Sequence, residues 1–188
     1  MFTRYKKQML GIVLPIFLFG FAEIAMASEH SAAAPSVPNQ STLSLADKVR
    51  HELLMLPYFG VFDNLDFTME NSDTVILTGQ VVRPILKSDA EGAVKRIQGV
   101  SKVVNNIEVL PLSPYDNSIR WSTYRAIFSR PGFEKYADRA IPPLRIIVKN
   151  GNVTLVGFVG SKLDKTMAEM ATRSVSGVFS VTDDLKIG

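Results

Sequence analysis

An internal repeat constrains this chain more than any other feature of its sequence. The segment V-I-L-T-G-Q-V-V contains Gly79, and V-T-L-V-G-F-V-G contains Gly157 at the matching position, 78 residues later. The segments G-V-S-K-V-V-N-N-I-E-V from Gly99 and G-V-F-S-V-T-D-D-L-K-I from Gly177 have the same offset of 78. Two landmarks at one offset, with no gap between them, indicate two copies of one small domain.

Each copy has the pattern helix, strand, strand, helix, strand. In the first copy, apolar residues recur at helical spacing over 44–56, alternate over 65–69 and become dense over 74–82. Ser88 and Glu91 have the spacing of a capping box that opens a second helix, and apolar residues between 103 and 109 predict a last strand. In the second copy, Asn150-Gly151 predicts a two-residue hairpin turn, and Pro131 ends the first helix. The pattern predicts an α+β fold.

The four repeated glycines have structural explanations. Gly99 and Gly177 follow the last apolar residue of a predicted helix, where a left-handed C′ residue favours glycine. Gly79 and Gly157 lie inside predicted strands, where glycine indicates a bulge or the close approach of a helix. We therefore expect all four to be structural residues.

The first 27 residues have the pattern of a secretory signal peptide. A basic start precedes an apolar run, and Ala25-Met26-Ala27 supplies a cleavage pattern, although an uncleaved anchor is the alternative. Cleavage removes three basic residues and one acidic residue from totals of 21 and 18, which leaves 18 against 17. A net charge of +1 gives no basic footprint for nucleic acid. We expect a cleaved protein in the bacterial periplasm.

The sequence also predicts domain boundaries. Residues 28–42 are small, polar and proline-containing, which is typical of a flexible linker. The first copy then spans 43–110, a short proline-containing linker spans 111–115, and the second copy spans 116–188.

The repeated segments resemble the BON domain, which is named for OsmY-like periplasmic proteins and nodulation proteins. The resemblance rests on V-x-L-x-G ending at Gly79 and Gly157 and on the G-V-x-x-V-x-(N/D)-x-(I/L) segments from Gly99 and Gly177. It implies two tandem αββαβ sandwiches, each with two helices on a three-stranded mixed sheet. It also implies association with phospholipid membrane surfaces or periplasmic and envelope proteins. The alternative is a soluble, stress-protective, chaperone-like protein of OsmY type.

The sequence contains no recognisable catalytic chemistry. It has no cysteine and two histidines, so thiolate sites, cysteine nucleophiles and multi-histidine metal sites are not expected. The acidic residues of Asp63-Asn-Leu-Asp66 are better explained as loop caps than as a calcium loop, and Asp183-Asp184 as a bend before the last strand. We therefore expect no enzyme activity, catalytic residue, metal or cofactor.

The first helix of the second copy carries the candidate binding residues. Aligning the copies by 78 places Trp121 and Phe128 on one shoulder of this helix, with Arg120 and Arg125 beside them. These aromatic residues could extend their own core, fill the seam between the copies, or contact a membrane surface. The third alternative makes Trp121, Phe128, Arg120 and Arg125 the predicted lipid-binding residues.

Overall fold

The computed structural model describes residues 44–139 and 141–188. The predicted signal peptide, 1–27, and the predicted linker, 28–42, lie outside the described residues. The described residues belong to one unit in which both copies contact each other.

The first copy follows the predicted order, but its last strand is interrupted. Strand β1 pairs antiparallel with β2, and β2 pairs in parallel with both β3 and β4. Its elements are α1 (Leu45–Leu54), β1 (Asn64–Glu70), β2 (Thr74–Val81), α2 (Pro84–Lys95), β3 (Lys102–Asn105) and β4 (Glu108–Val109).

The second copy repeats this topology with a continuous last strand and one extra short helix. Strand β5 pairs antiparallel with β6, which pairs in parallel with β7. Its elements are α3 (Pro114–Phe128), α4 (Glu134–Ala137), β5 (Leu144–Lys149), β6 (Asn152–Val159), α5 (Lys162–Arg173) and β7 (Ser180–Ile187). The predicted fold class, α+β with two tandem αββαβ units, is confirmed.

Helix starts are predicted well where a side-chain cap exists and poorly where it does not. Ser44 caps α1 by accepting a hydrogen bond from the amide of Asp47, as its spacing suggests. The expectation that Ser88 opens the second helix is wrong. Helix α2 begins four residues earlier, at Pro84, because proline fits the first turn, and Ser88 donates within the helix to the carbonyl of Ile85.

The four repeated glycines all have positive φ, but the structural reason differs from the expected one in both pairs. Gly79 and Gly157 have φ of +116° and +117°, and a Cβ there would collide with the backbone of the neighbouring strand rather than with a helix. Gly99 and Gly177 have φ of +101° and +89°. They are not C′ residues, because α2 and α5 end earlier, and they lie in the turns that lead to the last strands.

The last strand of each copy has a side chain that caps its own backbone. Asn105 Oδ1 accepts from the amide of Ile107 at 3.2 Å, and Asp183 Oδ1 accepts from the amide of Leu185 at 3.0 Å. The carbonyl of Leu185 in turn accepts from Lys165 Nζ at 2.6 Å. These amides therefore bond to side chains rather than to a neighbouring strand.

The two copies exchange side chains across their junction. Val61 and Phe62, which precede β1, pack against the core of the second copy, and Ile141, which precedes β5, packs against the core of the first. The amide of Ile146 in β5 donates to the carbonyl of Val61 at 2.8 Å. Because β5 pairs with β6 on its other side, the first copy covers part of the free edge of β5.

Candidate functional site

The structure divides the four predicted lipid-binding residues into two buried and two exposed ones. Arg120 and Phe128 are 2% and 8% exposed, whereas Trp121 is 47% exposed and Arg125 is exposed. The expectation that Arg120 and Phe128 lie at the surface is wrong. Their burial leaves Trp121 and Arg125 as the members of the set that a membrane could reach.

The offset of 78 does not hold for the first helix, although the corrected offset still aligns the buried Phe128 with Leu54, which is 40% exposed. The buried residues Val49 and Leu53 of α1 correspond to Thr123 and Ile127 of α3, which lie 74 residues later. The offset changes because the β5–β6 turn has two residues where the β1–β2 turn has three, and because α4 is inserted before β5. An alignment without gaps cannot detect insertions of this kind.

Arg120 has a structural role. Its guanidinium donates to the carbonyl of Val148 at 2.9 Å, and Asp116, one turn earlier, accepts from the amides of Asn150 and Gly151 at 2.9 and 2.8 Å. Burial lowers the pKa of the Arg120 guanidinium, and Asp116 opposes this shift. The two side chains together attach the β5–β6 hairpin to α3.

Trp121 lies at the seam between the copies and keeps an exposed surface. Its ring contacts Phe62 of the first copy edge to face, with centroids 5.0 Å apart. Tyr124 contacts both rings, and its centroid is 4.7 Å from that of Phe128. Trp121 is therefore positioned by aromatic packing while about half of it remains accessible.

The loop that carries Phe62 is attached to the first copy by a buried carboxylate. Asp63 accepts from the amides of Val82 at 2.8 Å and Gly60 at 3.1 Å, which confirms its role as a loop cap. Burial is the largest influence on this carboxyl group and raises its pKa. These hydrogen bonds hold the loop against the start of α2.

Besides Trp121 and Arg125, a second aromatic residue and a second arginine are exposed, in this loop and just before α2. Tyr58 is 68% exposed, and the guanidinium carbon of Arg83 lies 4.8 Å from its ring centroid. We call Tyr58, Arg83, Trp121 and Arg125 the aromatic–arginine surface: Tyr58 and Arg83 form one contact pair, Trp121 and Arg125 are exposed on α3, and the loop 55–63 contacts α3 through Phe62. Sequence analysis missed Tyr58 and Arg83. The P-Y-F-G segment around Tyr58, in which two aromatic residues lie between proline and glycine, was the feature of the sequence that could have indicated an exposed aromatic loop.

Within 44–139 and 141–188, no group of three or more His, Cys, Asp or Glu side chains could hold a metal ion. No helix in this part of the chain combines the length and the apolar character needed to cross a bilayer.

Comparison with known proteins identifies the repeated unit. The family model of the BON domain matches residues 41–111 and 133–188, which together make up more than half of the chain. No curated protein matches the sequence.

Two solved structures are similar to this chain. One is the C-terminal domain of CdsD, a structural protein of the type III secretion system of Chlamydia trachomatis, with 13% identity and a TM-score of 0.28. The alignment covers 78% of this chain and 98% of that chain. A second CdsD structure from the same organism has 13% identity and a TM-score of 0.28, over 77% of this chain and 93% of that one. These values carry no argument about function.

Proposed function

Because the chain belongs to the BON domain family, we propose that it is an exported, non-catalytic protein of the bacterial envelope that binds phospholipid membrane surfaces reversibly. BON domains are associated with phospholipid binding and with the periplasm or envelope. The observation that carries the proposal is the accessible half of Trp121, on a helix whose other exposed residues include Arg125.

The exposed side of α3 suits an anionic lipid surface. Asn117, Ser118, Trp121 and Arg125 are exposed, and the one carboxylate of this helix, on Asp116, is buried. Tryptophan and tyrosine favour the interface between headgroups and acyl chains, and arginine is attracted to anionic headgroups. The membrane would therefore meet no repelling charge on α3.

The expected affinity is low. Partial insertion of Trp121 and Tyr58 contributes about 1 kcal/mol each, below the 1.5–3 kcal/mol for full burial of a large apolar side chain. Arg83 and Arg125 add about 1 kcal/mol each near an anionic surface, less in high salt. A total of about 4 kcal/mol corresponds to a dissociation constant of about 1 mM. Such binding allows repeated association and release.

Vesicle binding tests the proposal directly. The exported protein should co-sediment with phosphatidylglycerol vesicles more than with phosphatidylcholine vesicles, and salt should weaken the binding. Trp121 is the only tryptophan, so its emission reports on this surface alone and should shift to the blue with anionic vesicles. An emission spectrum that does not change with lipid would contradict the proposal.

Matched variants locate the contact. Trp121→Ala combined with Arg125→Gln should abolish co-sedimentation while leaving the far-ultraviolet circular dichroism unchanged. Phe179→Ala combined with Arg173→Gln makes the same two kinds of change at exposed positions of the second copy that are not part of the aromatic–arginine surface. The ring of Phe179 lies 6.4 Å from that of Tyr115, in the first turn of α3 and away from Trp121 in the sequence. This control should bind vesicles normally. Equal losses in both double variants would argue against the aromatic–arginine surface.

Export is part of the proposal. We propose that residues 1–27 are removed and that the mature protein begins at Ser28 in the periplasm. Intact mass of periplasmic material measures the cleavage site. A mass that includes residues 1–27, found in the inner-membrane fraction, would indicate an anchored protein.

A second candidate function rests on a different surface. Leu163 and Met170 are 67% and 63% exposed and lie seven residues apart, on the same side of α5. Exposed apolar side chains on one face favour a protein that shields partly unfolded clients in the periplasm. Suppression of light scattering by a heated client enzyme tests this candidate. It predicts that Leu163→Ser with Met170→Ser weakens suppression without changing vesicle binding.

A further inference from the structure

A cleft of about 420 Å³ lies between the two copies. Its walls come from α1 and β1 of the first copy and from β5, β6 and β7 of the second. Its volume is within the range of small-molecule sites, about 300–1,000 Å³. The side chains that matter for recognition are three cations and three aromatic rings: Arg50, Arg145, Lys186, Phe59, Phe67 and Phe158.

Arg145 is the most informative residue of the cleft. It is partly buried, and its guanidinium carbon lies 4.7 Å from the ring centroid of Phe59. Burial lowers its pKa, and the nearby Asp63 and Asp66 oppose the shift; no group in 44–139 or 141–188 accepts a hydrogen bond from this guanidinium. A guanidinium stays charged in proteins, so Arg145 offers a partly buried cation whose N–H groups can donate to a ligand.

The other cations extend this positive lining. The guanidinium carbon of Arg50 lies 5.7 Å from the ring centroid of Phe67, and Lys186 lines the opposite wall on β7. Two carboxylates, Asp66 and Asp184, also line the cleft, and Asp66 accepts from the amide of Phe67 at 2.8 Å. The lining therefore has three cations and two carboxylates, and Asp63, which is not part of the lining, also acts on Arg145. An oxyanion would meet the N–H donors of these cations.

Apolar side chains also line the cleft. Leu54 and Phe158 come from different copies and remain 40% and 54% exposed. Large apolar side chains in contact with water are stabilised when a ligand covers them. The cleft therefore combines an anion-binding region with an uncovered apolar region.

We propose that this cleft binds a single-chain anionic amphiphile. Its carboxylate or phosphate contacts Arg145, and its chain lies against Leu54 and Phe158. No residue of the aromatic–arginine surface lines the cleft. The cleft and the aromatic–arginine surface therefore have no lining residue in common and can be tested separately.

Calorimetric titration of the exported protein tests the ligand class. Dodecanoate and dodecyl phosphate, each below its critical micelle concentration, should both bind. Inorganic phosphate, which lacks the chain, and dodecyltrimethylammonium, which has the opposite charge, should bind at least tenfold more weakly. Absence of binding by both anionic amphiphiles overturns the proposal. Equal binding of inorganic phosphate or of the cationic amphiphile overturns it as well.

Variants locate the ligand within the cleft. Arg145→Met keeps an unbranched stem over Phe59 and removes the charge, so the affinity for dodecanoate should fall about 10- to 100-fold, the range for losing a hydrogen bond to a charged group. Arg173→Met makes the same substitution at an exposed position that pairs with Glu169 outside the cleft, and should bind normally.

A second variant keeps the test valid if Arg145→Met fails to fold. Phe158→Ser changes an exposed side chain and should weaken the binding of dodecanoate. Unchanged affinity in a folded Arg145→Met variant overturns the anion contact, and unchanged affinity in Phe158→Ser overturns the chain contact.

Discussion

Replacing Gly157 by alanine should destabilise the protein by about 1–3 kcal/mol. Its φ of +117° costs an L-residue about 1–2 kcal/mol. The added Cβ would also collide with the carbonyl oxygen of Pro143. That oxygen accepts from the amide of Phe158 at 3.0 Å, so relieving the collision sacrifices a hydrogen bond worth about 0.5–1.5 kcal/mol.

Gly132 provides a matched control. It also has a positive φ, +87°, but nothing lies within 4 Å of an added Cβ. Gly132→Ala should therefore cost only the backbone strain, and should destabilise by about 0.5–1.5 kcal/mol less than Gly157→Ala. The roughly 0.4–1 kcal/mol that alanine gains by restricting the unfolded chain applies to both variants equally. Urea unfolding followed by circular dichroism gives both free energies of unfolding, provided that the dependence on urea concentration is the same.

The comparison isolates the collision from the strain. Equal losses of stability in Gly157→Ala and Gly132→Ala would show that the approach of Pro143 contributes nothing, and would refute the reasoning. The first copy offers an independent repetition. Gly79→Ala should resemble Gly157→Ala, because its Cβ would collide with the carbonyl of Asn64.

Three further predictions follow from contacts described above. Phe62→Ala should cost about 2–3 kcal/mol, less than the 3–5 kcal/mol for a fully buried ring, and shift the emission of Trp121 to the red; an unchanged spectrum would contradict the seam contact. Gly177→Val should lower the melting temperature more than Gly99→Val, since an added Cβ lies 2.7 Å from a tyrosine hydroxyl at Gly177 and 3.6 Å from a leucine methyl at Gly99. The pKa of Asp63 is higher in the folded protein than its ordinary value of 3.8, so the folded state binds this proton more tightly than the unfolded state. The resulting gain in the free energy of unfolding is complete below pH 3.8 and is lost as the pH rises through the folded pKa. Asparagine does not titrate, so Asp63→Asn removes this gain, and urea titrations should show a larger loss of stability in acid than at neutral pH. A larger loss at neutral pH would show that the pKa of Asp63 is lowered on folding.

Local signals in the sequence predicted most elements of the fold. The N-cap Ser44, the hairpin at Asn150-Gly151 and the alternation over 65–69 depend on residues close together in the chain, and each agrees with the structure. The start of α2 was missed because Arg83, its N-cap residue, makes no side-chain cap. Ser88 has the residue type and spacing of an N-cap but lies inside the helix.

The candidate site was predicted only in part, for reasons of long-range packing. Trp121 and Arg125 are exposed as expected, but Arg120 and Phe128 are buried by partners that no local pattern reveals. Arg120 bonds to a carbonyl 28 residues away, in β5. The loop that carries Phe62 reaches into the other copy, and a repeat aligned within one chain gives no information about contacts between its two copies.

The side-chain caps on the two last strands have a consequence for assembly. A strand at a sheet border can recruit a strand from another molecule only through free amides and carbonyls that face outward. At Leu185 the amide bonds to Asp183 and the carbonyl to Lys165, while at Ile107 the amide bonds to Asn105. An incoming chain would have to displace these partners before it could add to either border. Adding a strand at these two borders therefore carries the extra cost of breaking the side-chain hydrogen bonds at Leu185 and Ile107.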